Sequence, residues 1–546
     1  MAGLPEVIAL VYRADWTRLS LSAAVHAESD HDLLLSRMRA RSPWASRGAW
    51  PRMRTGRSDH TALLIARDGR YRLEHEGEDG LIQGNDGQRG WLWWRSGPSG
   101  PVPAGASLSG DRPVPVLFCP QDLLGRHVLE VLGPVTASGR DAIAIAATPR
   151  AGHQFYDRVE AVVDAELGIL LRREETFDGQ SLTLTELTDV TMDPPETTDP
   201  TRYAGPPGSR YPEEPGEGAS GQDERVKNVV DLAAGGLGAL IRHAPHRPGH
   251  RADSGAADAE MPLPEPEALA ATDGSPSGDL LYLLYRSAEP RDLAATMHAW
   301  HDGDVMTARL AQMMREIGVG GFGSLVDAIP TGKTRTDARL RIGTQDRYRV
   351  DYTRGADKSG LRVNACDGER HWRVFPDRTL TGPAAPLGAD VAYLIDTSWL
   401  LRCRLSGARD ITYRGRRARQ LRVTGDRRTG FLAAGPLIFF PADAIVDAET
   451  GCLLRLIYYA GDVPAAWWEL DDISIDPVDP DDFRVRVPPG TRVVEETGNP
   501  FTDYAESIPG LTGTAVRAAA KTVGRTYTAV SAARSFLDDL RGQDRR

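Results

Sequence analysis

The chain has 546 residues, of which 41% are hydrophobic and 26% are charged, as expected for a globular protein with more than one domain. The net charge of −11 argues against general nucleic-acid binding, because phosphate contacts require a predominantly basic surface. The four cysteines lack metal-site spacing and predict reduced thiols in a cytoplasmic protein.

The N-terminal residues have no cationic segment and no cleavage site, so we expect no export signal. No stretch approaches about 18 consecutive apolar residues, so we also expect no transmembrane helix.

Many short motifs occur twice, in the same order. The separation between the copies stays between 273 and 283 residues, which predicts a tandem duplication. The longest motif, Asp-x-Glu-x-Gly-x-Leu-x-Arg, lies at 164–172 and again at 447–455. Further pairs are Tyr12-Arg13 and Tyr285-Arg286, Arg70-Tyr71-Arg72 and Arg347-Tyr348-Arg349, Asp86-Gly87 and Asp367-Gly368, and Asp193-Pro194 and Asp476-Pro477.

The duplication divides the chain into four segments. Residues 1–210 form the first repeat and residues 279–500 the second. Between them, residues 211–278 are rich in Pro, Gly and acidic residues and predict a linker with a short apolar helix near 226–241. Residues 501–546 carry apolar side chains at spacings of three and four, which predicts a C-terminal amphipathic helix.

Within each repeat, apolar and polar residues alternate in the manner of β-strands, as at Leu361, Val363 and Ala365. Asx-Gly pairs such as Asp178-Gly179 predict tight hairpins, so the sheets should be antiparallel. Apolar residues at helical spacing predict short helices at 120–131 and 397–405. We therefore predict an α+β fold, with two antiparallel sheet domains that each bury one face under helices.

The order of these segments resembles the LolA-like superfamily, which includes lipoprotein carriers and RseB-type regulators. The resemblance rests on a Gly-Arg-Tyr-Arg strand at 69–72, an Asp-Gly turn before an aromatic strand at 86–94 and 367–375, and the Asp-x-Glu-x-Gly-x-Leu-x-Arg motif. It implies that each repeat is an incomplete β-barrel with an apolar cavity closed by helices. It also implies binding of acyl chains or of an unfolded apolar peptide, without catalysis.

Aromatic and apolar residues concentrated near strands are the candidates for the wall of such a cavity. Packing within the core is the alternative explanation for the same residues. The candidates are Trp91, Trp93, Trp372, Leu437, Phe439, Trp467 and Trp468.

Other motifs do not predict chemistry. Residues 327–334 approach a phosphate-binding loop, but they lack its first glycine and precede a strand, not a helix. The histidines at 243, 246 and 250 lie in the predicted linker without a ligand framework. We interpret His298, His301, Asp302 and Asp304 as a polar cluster at a sheet edge, and Arg414, Arg416, Arg417 and Arg419 as a solvated face.

The sequence therefore predicts a non-catalytic binding protein that holds a lipid or another apolar ligand, with no metal and no cofactor. The alternative is a regulatory protein that engages a protein partner through its sheets or its C-terminal helix. An enzyme built on the sheets is a third and weaker hypothesis, since no catalytic constellation is recognisable.

Overall fold

The protein is described by a computed structural model. It describes residues 2–30, 33, 36, 59–76, 81–86, 90–94, 113–150, 156–206, 276–316, 332–344, 346–354, 360–384, 387, 389–425, 440–487 and 489–495. The predicted helix near 226–241, the predicted C-terminal helix, Leu437 and Phe439 lie outside these residues.

Ten antiparallel strands form the first sheet, in the order β5-β4-β3-β2-β1-β10-β9-β8-β7-β6. Two five-stranded meanders therefore meet along the β1–β10 pair, where Val25 lies opposite Leu187. The strands are β1 (Leu21–Ser29), β2 (Asp59–Ile65), β3 (Tyr71–Glu76), β4 (Leu81–Asn85), β5 (Gly90–Trp94), β6 (His127–Ala137), β7 (Arg140–Pro149), β8 (Arg158–Asp164), β9 (Leu170–Phe177) and β10 (Gln180–Met192).

Twelve strands form the second sheet, in the order β17-β18-β19-β20-β21-β11-β12-β13-β14-β15-β16-β22. They are β11 (Leu293–Asp302), β12 (Lys333–Ile342), β13 (Tyr348–Arg354), β14 (Val363–Cys366), β15 (Arg370–Val374), β16 (Arg378–Pro383), β17 (Arg404–Tyr413), β18 (Arg416–Thr424), β19 (Ala442–Asp447), β20 (Leu453–Ala460), β21 (Val463–Ser474) and β22 (Arg492–Glu495). The first ten strands in this order repeat the arrangement of the first sheet, when that sheet is read from β6 to β5. The parallel pairing of β16 with β22 departs from the predicted all-antiparallel arrangement.

Short helices accompany both sheets. The α-helices are α1 (Leu4–Arg13), α2 (Pro113–Phe118), α3 (Gln121–Arg126), α4 (Gly278–Arg286), α5 (Gly303–Glu316) and α6 (Ala389–Ile395). The 3₁₀ helices are η1 (Trp16–Arg18), η2 (Pro195–Thr198), η3 (Pro200–Tyr203), η4 (Thr397–Arg402) and η5 (Pro480–Phe483). We call the first sheet with α1–α3 the first unit and the second sheet with α4–α6 the second unit.

Local sequence explains most of the element boundaries. The Ser277 side chain accepts a hydrogen bond from the Leu280 amide and thereby caps the start of α4. The predicted turn at Asp178-Gly179 is present, and both residues have positive φ (52° and 71°), as tight hairpins require. The predicted helix at 120–131 ends earlier, at Arg126, because the alternating residues that follow continue as strand β6.

One continuous hydrophobic core joins the two units. Helix α1 packs against α4, and α3 packs against η4. The Tyr12 hydroxyl donates a hydrogen bond to the Cys403 carbonyl (3.1 Å) and accepts one from the Leu405 amide (2.9 Å). In the opposite direction, the Leu129 amide donates to the Tyr285 hydroxyl at 2.6 Å. A tyrosine of each unit therefore provides hydrogen-bond partners for buried backbone groups of the other unit. These groups lie at the start of the edge strands β17 and β6.

Neither a disulfide nor a membrane-spanning helix is found among the described residues. The four cysteines form no disulfide, and three of them are buried. Within the same residues, the helices are too short and too polar to cross a membrane. The cytoplasmic location remains a prediction.

Candidate functional site

The strand register assigns each side chain to one of two faces, because residues paired across strands lie on the same side of a sheet. One face of the second sheet contains Met297, Tyr458, Trp468 and Leu470, which belong to the main core or pack against it. Helices α5 and α6 contact strand β20 on this sheet. We call this side of each sheet the helix-covered face and the other side the outer face.

Two aromatic rings dominate the helix-covered face of the second unit. Tyr458 and Trp468 meet edge to face, with ring centroids 5.5 Å apart and planes at 88°. Tyr458 is buried and Trp468 is half-buried, and Val305 and Met306 of α5 pack against the same core. Burial raises the pKa of Tyr458, so its hydroxyl stays protonated. The arrangement forms an apolar wall under helices, with a polar atom at the end of each ring.

The equivalent face of the first unit has a different chemistry. Counting from the Asp-x-Glu-x-Gly-x-Leu-x-Arg motif, Arg173, Glu175 and Thr185 stand where the second unit has Leu456, Tyr458 and Trp468. The Arg173 guanidinium donates to the Glu175 carboxylate at 2.7 and 3.2 Å. The other carboxylate oxygen of Glu175 accepts from the Thr183 hydroxyl at 3.0 Å. An internal ion pair therefore occupies this position.

A buried polar cluster lies next to this ion pair, where the units meet. The His127 ring stacks on Tyr156, and its Nε2 lies 3.0 Å from the Tyr156 hydroxyl. Burial, together with the nearby Arg173, lowers the pKa of His127 to about 4, so this ring is neutral at pH 7.

Asp122 connects the two units within the same region. Its carboxylate lies 3.3 Å from Arg126 of its own unit and 3.2 Å from Arg402 of the other. Burial opposes ionisation of Asp122, but the two arginines hold the pKa of its carboxyl below the usual value. These charges serve the contact between the units.

The structure separates the sequence-predicted tryptophans between the two faces. Trp468 lies on the helix-covered face, whereas its neighbour Trp467 lies on the outer face, in a small cluster with Ile457 and Tyr459. The register places Trp372 on the outer face of the second sheet, through its pairing with Ala365.

Trp91 and Trp93 share the outer face of the first sheet. The Trp91 indole nitrogen donates to the Tyr203 carbonyl at 2.7 Å. A Cβ on Gly84 would lie 2.5 Å from the Trp91 ring, so the ring fills the space that this glycine leaves. Trp91 thereby anchors η3 to the sheet and takes no part in the helix-covered face.

The remaining sequence-predicted clusters have structural roles. His298 Nδ1 lies 2.7 Å from the Asp337 carboxylate, and Asp302 accepts hydrogen bonds from the first amides of α5. Within the described ranges, no three His, Cys, Asp or Glu side chains are grouped to hold a metal ion. In the basic segment, acidic partners pair with Arg414, Arg416 and Arg419.

Sequence reasoning missed Tyr458 and the Arg173–Glu175 pair. Alignment of the two repeats would have revealed both. Directly after the Asp-x-Glu-x-Gly-x-Leu-x-Arg motif, Arg173 and Glu175 of the first repeat align with Leu456 and Tyr458 of the second.

Neither the protein-family models nor the curated proteins include a match to this chain. Among solved structures, it is similar to the complex of MucA and MucB from Pseudomonas aeruginosa, with 18% identity, a TM-score of 0.26, and 38% of this chain and 63% of that chain covered. A LolA superfamily protein from Nitrosomonas europaea has 10% identity and a TM-score of 0.19, over 38% of this chain and 99% of that one. LprF from Mycobacterium bovis has 10% identity and a TM-score of 0.22, over 39% and 100%.

A LolA superfamily protein is thus among the solved structures to which this chain is similar. The chain spans less than two thirds of the MucB chain. The similarities concern the fold alone, and with TM-scores below 0.5 they carry no argument about function. The functional argument therefore rests on the residues of this chain.

Proposed function

We propose that this chain is a non-catalytic binding protein that holds an acyl chain or a similar apolar ligand against the helix-covered face of its second unit. The observation that carries the proposal is the edge-to-face pair of Tyr458 and Trp468 beneath α5 and α6, with Trp468 only half-buried. We further propose that the chain consists of two tandem LolA-like domains, and the shared strand order supports this.

Energetics favour an apolar occupant at this face. Ligand sites in proteins are typically concave, lined by aromatic and aliphatic side chains, and supplied with a few polar groups. Burial of each methylene contributes about 0.8 kcal/mol, so a chain of about 15 methylenes supplies roughly 12 kcal/mol before the entropic cost of association. A bound acyl chain could therefore reach micromolar affinity without any charged contact.

Native mass spectrometry of the intact chain with added palmitic acid tests this proposal. We expect one bound fatty acid per chain and its loss in Trp468→Ala, because the substitution removes the wall on which the ligand packs. Trp467→Ala is the matched control, since it removes the same side chain from the adjacent residue on the outer face. Equal binding by both variants, or no binding by the wild-type chain, would contradict the proposal.

A regulatory function is the second candidate, and strand β6 favours it. This strand is at the edge of the first sheet and exposes Val128, Leu132 and Val135 by 54, 49 and 39%. Exposed apolar side chains on an edge strand are suited to an extended peptide that adds to the sheet. Leu132→Lys should then abolish co-purification of a defined partner while palmitic acid binding persists, and unchanged co-purification would exclude this surface.

A further inference from the structure

We propose that ligand uptake is confined to the second unit, because Arg173, Glu175 and Thr185 close the helix-covered face of the first. This inference rests on the proposed function and specifies it further. It assigns the selectivity of the chain to three positions at which the two units differ, and it predicts a stoichiometry of one apolar ligand per chain.

The two sets of residues occupy the same place in their sheets. Thr185 pairs with Arg173 across β10 and β9, and Trp468 pairs with Leu456 across β21 and β20 in the same way. Both pairs lie on the side that faces the core. The next position on this face is a buried leucine in both units, Leu187 and Leu470. The difference is therefore one of side-chain chemistry on a common backbone.

The ion pair excludes an acyl chain for a physical reason. The side chains of Arg173 and Glu175 are only 9 and 20% exposed, and they hydrogen-bond to each other. Thr183 occupies a further carboxylate oxygen of Glu175. A hydrocarbon placed here would remove the residual hydration of both charges and provide no hydrogen bond in return. In the second unit, Leu456, Tyr458 and Trp468 present aliphatic and aromatic carbon to the same space.

The test grafts the second unit's residues onto the first. The variant Arg173→Leu, Glu175→Tyr, Thr185→Trp of the full chain is compared with the wild-type chain by native mass spectrometry with palmitic acid. We expect one bound fatty acid in the wild-type chain and two in the graft. A folded graft that still binds one overturns this inference and leaves the proposed function intact, whereas a wild-type chain that binds none overturns both.

A second measurement decides the matter if the graft does not fold. Trp468→Ala in the otherwise wild-type chain should lose all bound palmitic acid, because the inference assigns ligand uptake to the second unit alone. Two fatty acids bound to the wild-type chain, of which Trp468→Ala keeps one, would show that the first unit also takes up ligand and would overturn the inference. One fatty acid bound to the wild-type chain and one to Trp468→Ala would instead overturn the proposed function.

Discussion

The hydrogen bonds that Tyr12 makes across the units yield a quantitative prediction. Its hydroxyl contacts the Leu405 amide at 2.9 Å and the Cys403 carbonyl at 3.1 Å, and Tyr12 is only 7% exposed. Tyr12→Phe therefore removes the hydroxyl partner of two buried backbone groups. Since the loss at each costs about 1–3 kcal/mol, we expect the free energy of unfolding to fall by about 2–6 kcal/mol.

Urea denaturation of the full chain measures this loss, and two other tyrosines calibrate it. Tyr285→Phe removes the acceptor of the Leu129 amide and should cost about 1–3 kcal/mol. Tyr282→Phe is the control, because Tyr282 lies on the same helix and its hydroxyl makes no hydrogen bond to the described residues; it should change stability by less than about 0.5 kcal/mol.

Hydrogen exchange locates the effect. In Tyr12→Phe the Leu405 amide at the start of β17 loses its acceptor, so the peptide that contains it should exchange faster, although the substitution lies in the other unit. A loss of stability below about 0.5 kcal/mol, or unchanged exchange in β17, would refute the idea that the tyrosines couple the two units.

Three further predictions concern single residues. The pKa of His127 is about 4 in the folded chain and about 6.5 in the unfolded chain, so the unfolded chain binds an additional proton between these pH values. The free energy of unfolding should therefore fall by up to about 3 kcal/mol as the pH drops from 6.5 to 4. Urea titrations at both pH values should show that His127→Cys lacks this component. Gly451 has a φ of +76° and a Cβ there would lie 2.9 Å from a carbonyl of α4, so Gly451→Ala should lower the melting temperature more than Gly461→Ala, which meets nothing within 4 Å. Arg416→Leu leaves the buried Asp447 carboxylate without its guanidinium and should cost about 3 kcal/mol in urea denaturation, and a neutral result would show that backbone amides suffice.

Local chemistry explains what the sequence predicted correctly. The turn at Asp178-Gly179 follows from two neighbouring residues that tolerate positive φ. Such features depend on a few neighbouring residues, so they can be recognised without knowledge of the fold. The antiparallel meanders follow from the same turns.

Long-range contacts explain what the sequence did not predict. The segment that contains Arg173 and Glu175 is rich in charge and suggests exposure, yet the pairing of β9 with β10 turns both side chains toward the core. The strand register places Trp91 on the outer face, where η3, more than a hundred residues later, supplies the carbonyl that accepts its hydrogen bond. Packing between distant segments decides which face of each sheet the helices cover.

Photo-crosslinking tests the central claim most directly. The full chain is incubated with a fatty acid that carries a diazirine on its acyl chain, irradiated, digested and analysed by mass spectrometry. We predict that the label attaches to peptides of β20 and β21 around Tyr458 and Trp468 and to α5, and that excess palmitic acid competes it away. Label confined to the outer face or to the first unit, or label that palmitic acid does not displace, would contradict an apolar site on the helix-covered face of the second unit.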